Sequence, residues 1–144
     1  MTIDQTQRRI IDEFADLDDW FDKYEHLIGL AKQHEPLAEQ FRTDETALPG
    51  CQSQVWVRAE VHDGQLRFDA ASDSMIITGV LALLLRTLNG HPPKEVADAE
   101  LYFLEEIGLT ANLSPSRANG VATIVRHLQR TAADLGRQLS ASCG

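Results

Sequence analysis

Leu48-Pro49-Gly50-Cys51-Gln52-Ser53-Gln54-Val55-Trp56 sets one of the chain's two cysteines between a Pro-Gly turn and the start of a strand. Proline fixes its own φ and glycine frees the next position, so Pro49-Gly50 reads as a hinge. A period-two pattern follows. Val55, Val57, Ala59 and Val61 share one parity, and Gln54, Trp56, Arg58 and Glu60 share the other. Cys51 has the parity of Val55, which leans its sulfur toward the core if the extended backbone reaches back that far. A loop thiol that can tuck in or swing out suits a sulfur that must be both shielded and delivered.

Working outward, Asp63-Gly64 is a hairpin signal, and Gln65 to Ala71 alternates as the returning strand with Leu66 and Phe68 on one face. Ser72-Asp73-Ser74 is an N-cap cluster for the apolar helix Met75 to Leu88. That helix is apolar nearly all round, which predicts the buried central one. Asn89-Gly90 stops it, and His91-Pro92-Pro93 forces a turn. Upstream, Gln5–Phe14 and Leu17–Gln33 read as amphipathic helices. Trp20, Tyr24, Leu27, Ile28 and Ala31 form the core stripe of the second. Pro36 opens a short helical turn ending near Phe41, and Arg42 to Gly50 reads as a loop without periodicity. Downstream, Val96–Ile107 holds one or two short helices ended by Gly108. Ser114 caps a last helix with Pro115 at its first position, running to about Leu139. Helices, a small antiparallel sheet, then helices make an α+β fold with helices covering one face of the sheet.

With 144 residues and 43% apolar content, the chain predicts one domain, 1–144, with a sizeable core. A net charge of −9 argues against nucleic acid, whose affinity depends on phosphate neutralisation, and against anionic membrane surfaces. The early acids Asp12, Glu13, Asp16, Asp18, Asp19, Asp22 and Glu25 read as a solvated face, with docking of a basic partner as the sharper alternative. The N-terminus lacks an apolar leader core, and the longest apolar run, Met75 to Leu85, is far below the roughly 20 residues that span a bilayer. These features predict a soluble, cytoplasmic protein, where two lone cysteines stay reduced.

Pro49-Gly50-Cys51-Gln52-Ser53-Gln54-Val55-Trp56 closely resembles the sulfur-acceptor segment of the SufE family, the Fe–S cluster assembly proteins that partner cysteine desulfurases. Leu113-Ser114-Pro115-Ser116-Arg117-Ala118-Asn119-Gly120 is similar to that family's helix-opening segment, and Trp20, Lys23, Tyr24, Leu27 and Ile28 give a third, weaker match. The resemblance implies a fold shared with IscU-type scaffolds, a small sheet packed against helices. It implies that Cys51 accepts persulfide sulfur by transpersulfuration, activates a pyridoxal-phosphate-dependent cysteine desulfurase of the SufS or CsdA kind, and hands sulfur to a downstream Fe–S scaffold or other acceptor. It implies an accessory protein, not a self-sufficient enzyme, with no cofactor or metal of its own, and it allows for a homodimer.

The residues themselves leave alternatives open. A free cysteine is most often a small buried hydrophobe. No His or Lys stands near Cys51 in sequence to serve as a base, so an independent thiol enzyme would need one delivered by folding. An Fe–S scaffold, suggested by the shared fold, is the runner-up, but clusters usually take several cysteines and only Cys51 and the tail Cys143 exist. Cys143 reads as a surface thiol, with a resolving or cross-linking role as the minor reading. Gly50 and Gln52 are expected to shape the loop. Gln52 and Gln54 offer amides to a partner or are ordinary strand positions, and Asp73 neighbours the docking surface. Trp56, on the polar parity, is expected to pack under a helix. Arg117 stands in a first helical turn, where the macrodipole disfavours a cation. That placement predicts a specific partner: an internal carboxylate or carbonyl, or, as the resemblance favours, the Cys51 loop.

Overall fold

The computed structural model describes the backbone of residues 1–49 and 53–143, and side chains as far as Leu139. The order is α1 (Ile3–Ala15), α2 (Trp20–Gln33), a 3-10 turn (Glu39–Phe41), β1 (Val55–His62), β2 (Gln65–Ser72), α3 (Met75–Leu88), α4 (Pro93–Asp98), α5 (Phe103–Glu106), α6 (Leu109–Asn112) and α7 (Pro115–Cys143). The α+β class and the boundaries of α3 are those expected from sequence. Ser74 caps α3, its hydroxyl accepting from the Ile77 N–H at 3.4 Å. Thr2 and Gln5 close a capping box on α1, and Asp19 caps α2. Leu109–Asn112 carries no periodic signal, and its short helix is an addition. The last helix runs past Leu139 to Cys143.

β1 and β2 pair antiparallel from Val55↔Ser72 to His62↔Gln65. Asp63 and Gly64 turn them with φ of 53° and 79°, the left-handed pair of a type I′ hairpin. Further chain docks on both outer edges. Along β1, Ala47 bridges Trp56, Leu48 N–H donates to Val55 O at 2.9 Å and Val57 N–H to Thr46 O at 2.9 Å. Along β2, Asn89 Oδ1 accepts from Phe68 N–H at 2.7 Å, Asn89 Nδ2 donates to Phe68 O at 3.0 Å, and Leu66 bridges His91. Both edges are thereby covered, which satisfies backbone groups that would otherwise invite foreign strands. The stretch 42–50, expected to be an irregular loop, thus contributes an edge bridge. Trp56 is half-buried, bridged by Ala47 through the backbone, with the Arg42 guanidinium 5.8 Å from its ring.

Val55, Val57, Leu66, Phe68 and Ala70 point into a core built on α3, whose Ile76, Val80, Leu81, Leu83, Leu84 and Leu88 are all buried. Helix α2 crosses α3 at Gly79. A Cβ there would lie 2.5 Å from the Leu27 carbonyl oxygen, so glycine sets how closely the two helices approach. Of the expected α2 stripe, Leu27 and Ala31 are buried, but Tyr24 is 39% exposed, because the stripe is wider than the surface α3 offers. Gln7, a polar residue in the α1 stripe, is 1% exposed. Its Oε1 accepts from Tyr102 and Phe103 N–H groups at 2.9 and 3.2 Å, and its Nε2 donates to Glu100 O at 3.0 Å, tying α1 to α5.

Glu13 accepts from His26 Nε2 at 2.8 Å and Arg86 at 3.3 Å, joining α1, α2 and α3. Burial raises its pKa, but the hydrogen bonds from His26 and Arg86 outweigh burial and hold the carboxyl below its ordinary 4.5. A depressed folded-state pKa contributes stability above pH 4.5 that is lost as pH falls through the folded value. Glu13→Gln is therefore expected to flatten the loss of urea stability between about pH 6 and about pH 3, and an unaltered slope would contradict the pairing. Gly79→Ala is expected to cost about 1–3 kcal/mol by forcing α2 off α3, read as a lower thermal midpoint. An unchanged midpoint would show that the crossing is not close.

Candidate functional site: the Cys51 segment and helix α7

Gly50, Cys51 and Gln52 lie outside the described residues, so the site is built from its two anchors. On the leading side, the Leu48–Val55 hydrogen bond closes the chain, and Leu48 is 7% exposed. On the returning side, Gln54 N–H donates to Asp73 Oδ1 at 3.0 Å, and Asp73 N–H donates to Gln54 O at 3.3 Å. This reciprocal pair continues the β1–β2 ladder one step beyond Val55↔Ser72. It places the exposed Asp73 carboxylate at the mouth of the segment, directly before the Ser74 cap. The described residues on either side of the segment, Leu48 and Gln54, are therefore each held to the sheet end by hydrogen bonds.

Both anchors face α7. Ser53 and Val55 meet Ile77, Ser116, Arg117, Gly120 and Ile124 across a void of about 10 Å³, a seam with space for one water at most. Leu48 and Pro49 face Thr123, Arg126, His127 and Arg130 across an open cavity of about 350 Å³. The helix is held in place by its own apolar stripe, with Val121, Ile124 and Leu128 buried. Gln129 Nε2 also secures it, donating to Val96 O and Ala99 O at 3.2 and 2.7 Å at the end of α4. Leu139, farther along the helix, is 37% exposed. Ser114 Oγ accepts from the Arg117 N–H at 3.3 Å, the expected cap.

The sequence-derived candidates fall into two groups. Gln54, Asp73 and Arg117 converge on the returning anchor. The Cys51, Gly50 and Gln52 expectations lie on residues that are not described. Arg117 is exposed and, among the described residues, forms no ion pair; it lines the seam with Ser53 rather than meeting an internal carboxylate. Sequence reasoning missed Arg126, His127 and Arg130. Their signal was present: two arginines at i and i+4, beside the apolar stripe of a helix in an acidic chain. His127 is half-buried. Burial, with the Arg130 charge adding to it, holds its imidazole below the ordinary histidine value of 6.5, so it is neutral at pH 7. Among the described residues, no group of three or more His, Cys, Asp or Glu side chains could hold a metal ion. Among them, too, no helix is long and apolar enough to cross a membrane.

Comparison with known proteins covers nearly the same span. The family model for SufE, described as an Fe–S metabolism associated domain, matches residues 8–132. An uncharacterised SufE-like protein of Rhizobium etli is 37% identical over 129 residues, 86% of this chain and 87% of that one. An uncharacterised SufE-like protein of Synechocystis is 34% identical over 143 residues, covering 99% of this chain and 89% of its own. A chloroplastic/mitochondrial SufE-like protein 1 of Arabidopsis thaliana is 40% identical over 114 residues, 78% of this chain and 31% of that longer protein. The solution structure of a hypothetical protein from Thermus thermophilus shares the fold, with a TM-score of 0.73 at 20% identity over 90% of this chain and 94% of that one. With the family model spanning most of its length and relatives matching nearly end to end, this chain belongs to the SufE family of Fe–S metabolism proteins.

Proposed function

We propose that the protein is a sulfur acceptor for a cysteine desulfurase, taking persulfide sulfur onto Cys51 and passing it on for Fe–S cluster assembly. One observation carries this reading: of the two cysteines, only Cys51 falls within the residues that match the family, 8–132. Cys143 lies beyond them. The loop geometry supports the same assignment. Cys51 is two residues from Pro49 and two from Ser53, so covalent length keeps it within about 7 Å of either anchor. Both anchors are fixed, and both adjoin the arginine-bearing side of α7.

The chemistry asks for a reachable thiolate. The Cys51 thiolate attacks the outer sulfur of the desulfurase persulfide. A new S–S bond forms to Cys51 Sγ, the S–S bond on the donor breaks, and the donor cysteine leaves as a thiolate. The outer sulfur keeps its proton, and no external oxidant or reductant is consumed. Rate depends on thiolate fraction, on the leaving thiol and on access. Positive charge near a thiol favours its ionised form, and Arg117 and Arg126 stand beside the two anchors. His127 lines the same cavity as Pro49. Being neutral, it is able to accept a proton, which the sequence around Cys51 does not supply. The accessory role, with the desulfurase as partner, one 1–144 domain and a cytoplasmic setting, completes the proposal.

Incubation with a cysteine desulfurase and cysteine, followed by intact and peptide mass spectrometry without reductant, tests it. One added sulfur atom on the Cys51 peptide is expected, dependent on the desulfurase and lost in Cys51→Ala. Sulfur found on Cys143 instead, or no adduct and no stimulation of desulfurase turnover, would overturn it.

A further inference from the structure

Helix α7 carries Arg117, Arg126, Arg130 and Arg137 against a single carboxylate, Asp134, in a chain whose net charge is −9. The four are not equivalent. Arg137 is paired with Asp134. Among the described residues, Arg126 and Arg130 form no ion pair, and Arg126 reaches only the Thr123 hydroxyl, at 3.5 Å. Both are exposed, one helical turn apart on the side facing Leu48 and Pro49.

Like charges at i and i+4 destabilise a helix. Mid-helix, they gain nothing from the macrodipole, which acts only in the terminal turns. His127, between them and neutral, adds no further positive charge. An anion seated between the two guanidiniums would turn that repulsion into charge-assisted hydrogen bonds, for which arginine's planar fork is suited. The adjoining cavity, about 350 Å³ and walled on its other side by Leu48 and Pro49, is large enough for one or two acidic side chains. An acidic protein also repels acidic partners in general, so a local basic ridge next to the loop gives such a partner one orientation of approach.

We propose that Arg126 and Arg130, with the cavity they share with Leu48 and Pro49, form the docking ridge for a carboxylate-bearing segment of the sulfur-donating protein. The proposal rests on the sulfur-acceptor reading and names the chemistry of the donor's contact. Nucleic acid is the lesser candidate for the same charges, because the remainder of the chain is strongly acidic.

The test is the affinity of the full chain for the cysteine desulfurase encoded in the same genome, measured by titration calorimetry at low and high salt. Arg126→Glu and Arg130→Glu are each expected to weaken binding about tenfold or more at low salt, with the gap narrowing as salt screens the pair. Arg137→Glu makes the same change in net charge outside the ridge and is expected to bind as the parent does. Thermal midpoints of all three variants check that the helix is intact. Arg126→Lys keeps the charge but loses the fork, and is expected to fall between the parent and Arg126→Glu. If the two ridge reversals bind no worse than Arg137→Glu while Cys51 still gains sulfur, the ridge inference fails and the acceptor reading stands. If the parent chain neither binds the desulfurase nor gains sulfur, both fail. Tight binding of a single-stranded RNA oligonucleotide that is lost in Arg126→Glu would reassign the ridge and overturn the proposal.

Discussion

The hydrogen bond from Leu48 N–H to Val55 O, with the Gln54–Asp73 pair behind it, is the constraint on which the functional region depends. It fixes the residues on either side of the stretch that contains Cys51. These anchors are inexpensive to hold because their partners are already in place. Val55 is a core residue of β1, and Asp73 is fixed between the last pair of the ladder and the cap of α3. Burial of Leu48 adds apolar stabilisation at the same point. The two ends of the segment are thereby kept within a small volume.

Helix α7 supplies the second wall. Its apolar stripe fixes its orientation on the core, and that orientation decides which polar side chains meet the loop. Arg117 is set beside the returning anchor, and Arg126, His127 and Arg130 beside the leading one. Structure and charge are thereby linked: the same packing that buries Val121, Ile124 and Leu128 turns Arg117, Arg126 and Arg130 toward Leu48, Pro49 and Ser53 in an acidic protein. The proposed sulfur transfer would be a transient contact, and such contacts gain rate and orientation from complementary charge more than from buried area.

Much of this was legible in the sequence. Period-two alternation from Val55, the Asp63-Gly64 turn and the Ser74 cap located the hairpin and α3, because each is a local signal with a local cause. The segment 46–48 was not legible as an edge bridge, since its pairing with β1 depends on tertiary docking and carries no periodicity. Gln7 was equally hidden: a buried glutamine is specified only by the Tyr102 and Phe103 N–H groups it accepts from, some 95 residues away. Tyr24 was misplaced because helical spacing gives the direction of a stripe but not the width of the surface that receives it. Near the segment, Asp73 and Arg117 were singled out from cap logic and the family resemblance, and both stand on its returning side. The partnership of Pro49 with Arg126 and His127 emerged only from the crossing of two distant elements.

Solution NMR of the full chain tests the α7-backed flanks of the Cys51 segment most directly. The account predicts slow amide exchange at Leu48 and Val57, together with through-space contacts from Pro49 to Thr123 and His127 and from Ser53 to Gly120. Amide exchange at the rate of an unstructured peptide at Leu48, with no contact between Pro49 and α7, would contradict it.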